Sequence, residues 1–118
     1  MTLLTKLLGR SRAEAVTWLD PGDLMTLLTN PVPPLVVDVR EPDEFVGPLG
    51  HIDEARNIPL NQIPGRLTEL RAEKRPLVFV CHTDRRSAAA AEHFRRSGAS
   101  EVGVLSGGMV AWRSRPTS

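Results

Sequence analysis

A single thiol set among cationic groups is the strongest chemical signal in this chain. Cys81 is the only cysteine in 118 residues, and it opens the stretch Cys81-His-Thr-Asp-Arg-Arg-Ser87. A thiolate is a nucleophile, and nearby cations or a helix N-terminus favour it over the thiol. His82, Arg85 and Arg86 supply such groups. Three chemistries suit a cysteine of this kind: sulfur transfer, phosphate-ester hydrolysis and thiol redox cycling. Redox pairs of the C-x-x-C type need a second cysteine, which is absent. Cysteine phosphatases close a C-x5-R loop around a tetrahedral phosphate. Here Cys81 and Arg86 are spaced C-x4-R, one residue shorter. A tighter ring fits one sulfur atom carried on Cys81 better than a phosphate.

The flanking residues say how the thiol is held. Leu77-Val-Phe-Val80 reads as a fully buried strand, and Ala88-Ala-Ala-Ala91 as the start of a helix. The cysteine therefore lies at the carboxyl end of a strand, where open α/β sheets place reactive groups. Amides at the start of the next helix are unpaired, and the helix dipole is positive there. Leu35-Val-Val-Asp38-Val39 is a second apolar strand. It is expected to be parallel and buried on both faces. Asp38 and Arg40 at its end are read as an ion pair or as hydrogen-bonding partners of the loops above the sheet, with a catalytic role as the other reading.

The remaining elements follow from local signals. Thr17-Trp-Leu19 is a short strand. Asp20-Pro21 starts a helix, Asp as cap and Pro at the first position, with Leu24, Leu27 and Leu28 on its apolar face. Asn30 to Pro34 is a stiff connector. Pro42 starts a brief helix through Phe45, a short strand surrounds Ile58, and Pro64 to Arg71 is a helix with Leu67 and Leu70 inward. His51 is expected to fix a loop, His93 to be solvated and Trp112 to be core. Arg95, Arg96 and Gly98 end the helix after the cysteine loop. Val102 to Leu105 is a last strand, and Met109 to Trp112 begins a last helix. Strands alternating with helices predict a parallel α/β sheet.

Composition bounds the rest. Apolar residues make up 41% and charged residues 25%, with a net charge of +1, so no strong field draws the chain to nucleic acid or a membrane. One cysteine rules out an internal disulfide and suits a reducing compartment, so a cytoplasmic protein is expected. The histidines show no metal-ligand spacing, and no metal is expected. The domain is expected over residues 17–114, after an amphipathic extension at 1–16 and before a tail at 115–118. Leu3, Leu4, Leu7 and Leu8 share one helical face in that extension. They pack on the domain's own surface or dock a partner.

Four stretches, in order, resemble the rhodanese family: Val37-Asp-Val-Arg-Glu41, Gly50-His-Ile52 with Ala55 and Asn57-Ile-Pro-Leu60, the loop Cys81 to Ser87, and Gly107-Gly-Met-Val-Ala-Trp112. The resemblance covers about Trp18 to Trp112. It implies a central five-stranded parallel sheet with helices on both faces. It also implies a sulfurtransferase: the Cys81 thiolate takes the outer sulfur of thiosulfate or a persulfide donor, and a thiol or cyanide removes it. No cofactor is implied, since Cys81 itself carries the sulfur, and a protein could serve as acceptor. By family position His82, Thr83, Asp84, Arg85 and Arg86 bind the substrate, Arg86 also holding the loop's end, and Ser87 follows as support with Asp38 and Arg40. A sulfur-carrying or regulatory module with little turnover is the alternative.

Asp84 departs from the family, which commonly has glycine there. Asp tolerates a left-handed backbone better than most residues. Its carboxylate puts thiosulfate at a disadvantage as donor unless an arginine neutralises it. Arg85 is the expected neutraliser.

Overall fold

The strands form because their residues can be buried on both faces. In the computed structural model, which describes residues 16–98 and 101–115, Leu35–Asp38 (β2), Leu77–Val80 (β4) and Val102–Leu105 (β5) are buried at every position. Thr17–Leu19 (β1) and Arg56–Asn57 (β3) complete one sheet in the order β1-β5-β4-β2-β3. Every pairing is parallel. The Leu-rich extension lies outside the described residues.

Side chains alternate across the sheet, and each face has its own core. Along β4, Leu77 and Phe79 point to one side, Val78 and Val80 to the other. The second side is covered by Pro21–Leu28 (α1) and by Gly108–Ser114, the last helix, through Leu24, Leu27, Met109 and Trp112. Asp20 caps α1 as expected: its Oδ1 accepts from the Asp23 amide at 2.7 Å, a bond worth about 1 kcal/mol. The first side is covered by the helix Arg85–Arg96, with Ala90, Ala91 and Phe94 inward. Two alanines bring this helix close to the sheet, and Phe94 packs edge-on against Phe79 at 5.9 Å between ring centres.

Two stretches differ from the sequence reading. The helix expected from Pro64 to Arg71 is a 3-10 helix over Leu60–Arg66 followed by an α-helix over Leu67–Arg71. Pro64 has no N–H to donate, and Gly65 weakens α-helix further. Leu70 is buried as expected and Leu67 packs at the margin of that core. The strand expected around Ile58 is formed by Arg56 and Asn57, and the Ile58 amide continues the pairing by donating to the Asp38 carbonyl at 2.9 Å.

The strand order creates a crevice. From β2 the chain moves outward to β3, and from the adjacent β4 it moves the other way to β5. The loops after β2 and β4 therefore diverge, which is the switch point where open α/β sheets bind ligands. Arg40 anchors the β2 side. Its guanidinium grips the Asp38 carboxylate at 2.7 and 2.9 Å and donates to the carbonyls of Glu44 at 3.1 Å and Gly50 at 2.7 Å. Both residues of the pair are 1% exposed. Asn57 closes the same corner by donating to the carbonyls of Asp38 and Arg40. His51 accepts its expected role: Nδ1 lies 2.8 Å from the Phe45 carbonyl and its ring stacks on Phe45.

Removing one partner of a buried pair strands the other charge. Arg40→Met is expected to lower unfolding free energy by about 3–5 kcal/mol, measured by urea denaturation. Arg66→Met, which breaks the exposed Arg66–Glu69 pair, is expected to leave the urea midpoint nearly unchanged in the same assay, because water screens both charges.

Candidate active site

The chain leaves β4 at Cys81 and enters the helix Arg85–Arg96, numbered α4 after Pro42–Phe45 (α2) and Leu67–Arg71 (α3), at Arg85. Gly108–Ser114 is α5. Cys81 is 1% exposed, so its sulfur sits at the floor of the crevice rather than on its rim. The thiol donates to Ser87 Oγ at 3.3 Å and the Ser87 amide donates to Sγ at 3.4 Å. Ser87 Oγ in turn donates to the Asp84 carbonyl at 3.2 Å. One hydroxyl thus ties both ends of the loop together.

The carbonyls of Cys81 and His82 are turned out of the loop toward α5. The Met109 and Val110 amides, in the first turn of α5, donate to the carbonyls of Cys81 at 2.8 Å and His82 at 3.1 Å. This close approach needs Gly108, whose φ is +57°. A Cβ there would overlap the carbonyl oxygens of Cys81, His82 and Thr83. In a planar trans peptide the N–H points opposite to the C=O. The amides of His82, Thr83 and Asp84 therefore point away from α5.

Arg86 closes the other side of the loop. Its guanidinium makes a two-pronged pair with Glu44, at 2.8 and 3.0 Å. That bond, the neighbouring Glu41 amide and the charges of Arg86 and Arg40 hold the Glu44 carboxyl down at about 2 against an opposing burial effect. Arg86 is correspondingly pushed up, first by its bond to Glu44 and in lesser part by the charge on Cys81. The Glu44 carbonyl is itself held by Arg40. The buried pair after β2 and the loop after β4 are thereby joined through one residue.

Of the residues singled out from sequence, Cys81, Arg86 and Ser87 come together around the loop, and Asp38 and Arg40 support it from the neighbouring strand. His82, Thr83 and Arg85 are exposed around it. Asp84 behaves differently from expectation. Its φ is −148°, so no left-handed conformation is demanded of it. Its carboxylate turns to the Gly107 amide at 3.0 Å, and Arg85 makes no ion pair with it. Sequence reading missed Glu44, whose signal was its place three residues after Glu41 in a Pro-started turn. It also missed that the Gly107-Gly108 turn touches the loop. Among the described residues no three His, Cys, Asp or Glu side chains group as metal ligands. A groove of about 470 Å³ lined by Met25, Leu28, Ile52, Trp112 and Arg113 contains no residue of the cysteine loop.

Comparison with known proteins agrees with this architecture. The rhodanese-like domain model matches residues 20–115. The uncharacterized protein YqhL of Bacillus subtilis is 46% identical over 77 residues, covering 65% of this chain and 59% of that protein. This chain's match thus spans about three-fifths of that relative's length. The thiosulfate sulfurtransferase GlpE of Pseudomonas aeruginosa is 37% identical over 79 residues, covering 67% of this chain and 69% of that protein. The crystal structure of a rhodanese-related protein from Thermoplasma volcanium superposes with a TM-score of 0.72 at 26% identity, covering 83% of this chain and 91% of the other. With a parallel five-stranded sheet, a six-residue cysteine loop at its switch point and a family match over most of its length, this chain belongs to the rhodanese-like domain family.

Proposed function

We propose that the chain is a sulfurtransferase that moves a sulfane sulfur from thiosulfate or a low-molecular-weight persulfide to a thiol or cyanide through a persulfide on Cys81. The observation that carries this reading is the loop whose carbonyls are bound to α5, leaving N–H groups on the opposite side as the partners of whatever Cys81 carries. A relative of 37% identity named as a thiosulfate sulfurtransferase supports the same class of reaction. In the first step the Cys81 thiolate attacks the outer sulfur of thiosulfate. A sulfur–sulfur bond forms on Cys81, the donor's sulfur–sulfur bond breaks, and sulfite leaves with its electron pair. In the second step the acceptor attacks the outer sulfur, and Cys81 departs as thiolate. Cyanide yields thiocyanate and a thiol yields its persulfide.

Each loop residue has a physical part in this scheme. The Ser87 amide donates to the sulfur, and the Ser87 hydroxyl can turn from the Asp84 carbonyl to donate to the thiolate. Fixed donors of this kind stabilise a developing anion without reorganising. Arg86 contributes rigidity, since Glu44 already neutralises it. His82, Thr83 and Arg85 form the rim that donor and acceptor meet. Asp38 and Arg40 hold the loop that presents Glu44. A lone thiol that must stay reduced suits a cytoplasmic setting, and among the described residues no helix is long and apolar enough to cross a membrane.

The near-complete burial of Cys81 favours a second reading, a module that holds sulfur for a partner and turns over slowly alone. Intact mass and turnover separate the two. Reduced protein treated with thiosulfate or a low-molecular-weight persulfide is expected to gain the mass of one sulfur, lose it to cyanide, and gain nothing as Cys81→Ala. Multiple turnovers of thiocyanate or persulfide product favour the enzyme, and a single equivalent favours the carrier. No mass gain with either donor overturns both.

Glu44 generates a further prediction. Its carboxyl is lowered in the folded protein from 4.5 to about 2, so its pairing stabilises the fold fully above pH 4.5 and that stability is lost as pH falls toward 2. The stability difference between wild type and Glu44→Gln is expected to be flat above that window and to shrink below it, read from thermal melts across pH. At neutral pH Glu44→Gln is expected to slow sulfur loading of Cys81 about tenfold, the loss of one preorganised ionic tether.

A further inference from the structure

Of the basic groups around the cysteine loop, the partly buried one is already paired. Arg86 is paired with Glu44 at 2.8 Å, and Glu41 adds a second carboxylate close enough to raise the Arg86 pKa further. Arg85 is exposed and forms no ion pair among the described residues, and His82 is exposed beside it. Against these stands Asp84, half-buried within the loop itself. Its carboxylate Oδ2 accepts from the Gly107 amide at 3.0 Å, a neutral partner that positions the charge without cancelling it. Its own carbonyl accepts from Ser87 Oγ, which is in contact with Sγ. Asp84 is thus one hydroxyl removed from the reacting sulfur through its backbone and is bound to the turn before α5 through its side chain.

We infer that Asp84 sets donor preference: its carboxylate latches the cysteine loop to the Gly107-Gly108 turn and leaves there a fixed negative charge that favours neutral or monoanionic persulfides over dianionic thiosulfate. This rests on Cys81 accepting sulfur as proposed above. With a persulfide donor the thiolate attacks the terminal sulfur, the donor's sulfur–sulfur bond breaks, and the donor leaves as a thiolate while its proton stays on the new Cys81 persulfide. No dianion enters. With thiosulfate the same bond changes occur, but two negative charges must approach both the thiolate and Asp84.

Asp84→Asn separates the two roles, because its side-chain oxygen still accepts from the Gly107 amide while the charge is gone. Asp84→Ala removes both. The first measurement is alkylation of Cys81 by anionic iodoacetate and neutral iodoacetamide, which reads the charge at the sulfur without any sulfur transfer. The ratio of the two rates is expected to rise about five- to tenfold in Asp84→Asn, the scale of one unit charge acting across a partly solvated loop. The second is steady-state transfer from thiosulfate and from hydroxyethyl persulfide. Asp84→Asn is expected to lower KM for thiosulfate and to raise the ratio of kcat/KM for thiosulfate to that for the persulfide by a similar factor. Asp84→Ala is expected to lower kcat with both donors, a loss that Asp84→Asn does not show. An unchanged alkylation ratio in Asp84→Asn overturns the charge role, and equal kcat in Asp84→Ala and Asp84→Asn overturns the latch. Failure of every variant and of wild type to transfer sulfur, with the alkylation ratio still shifted, would instead overturn the sulfurtransferase reading and leave the charge assignment standing.

Discussion

The buried ion pair between Asp38 and Arg40 is the constraint on which the rest of the site hangs. Two charges at 1% exposure survive only because each is fully bonded. The carboxylate takes the guanidinium in a fork, and the guanidinium has two carbonyls left to hold. Those carbonyls belong to Glu44 and Gly50, on the loop that rises over the sheet after β2. Breaking such a pair costs far more than a surface bridge, because the charge left behind cannot regain water. The loop after β2 is therefore tied at two points to the end of the strand it leaves. From it Glu44 reaches across to Arg86 and the loop after β4. Alternating charge runs from Asp38 through Arg40 and Glu44 to Arg86, ending beside the thiol.

A second constraint is steric. Backbone carbonyls of the cysteine loop meet the first turn of α5 at Gly108, with no room for a side chain. This contact settles which way the loop's peptides face. Carbonyls bound to α5 cannot also point at the sulfur, where their partial negative charge would repel an anion. The N–H groups are left for the other side by default. The fold thus orients the dipoles around Cys81 before any substrate arrives, and preorganised dipoles of this kind are the usual source of anion stabilisation in enzymes.

Asp84 shows how a charged side chain can be fitted into such a loop without dismantling it. Glycine would leave only the backbone there. The aspartate keeps an ordinary negative φ and adds a bond to the Gly107 amide, so the loop gains a tether to α5. The accompanying charge is not cancelled by that bond. Family membership accounts for the fold and for the position of the cysteine, while donor preference, in the reading proposed above, rests with the loop's own residues.

The local sequence by itself determined the elements and the position of the thiol. Apolar runs at Leu35 to Val37 and Leu77 to Val80 predict buried parallel strands, Asp20-Pro21 predicts a helix start, and Cys81 between a strand and an alanine run is placed at the carboxyl edge of the sheet; the fold has all three. The ion pair of Asp38 and Arg40 was legible because both residues share one strand end. Tertiary structure alone decided what lay between distant segments: that Glu44 binds Arg86, 42 positions away, that Gly108 receives the loop's carbonyls, and that Asp84 bonds to Gly107 rather than to Arg85. Propensity and periodicity act over a few residues, whereas a side-chain partner is chosen by which strands lie adjacent. In this sheet β2 and β4 lie side by side although β3 falls between them in sequence. No local pattern records that order, and it is what brings the two loops together.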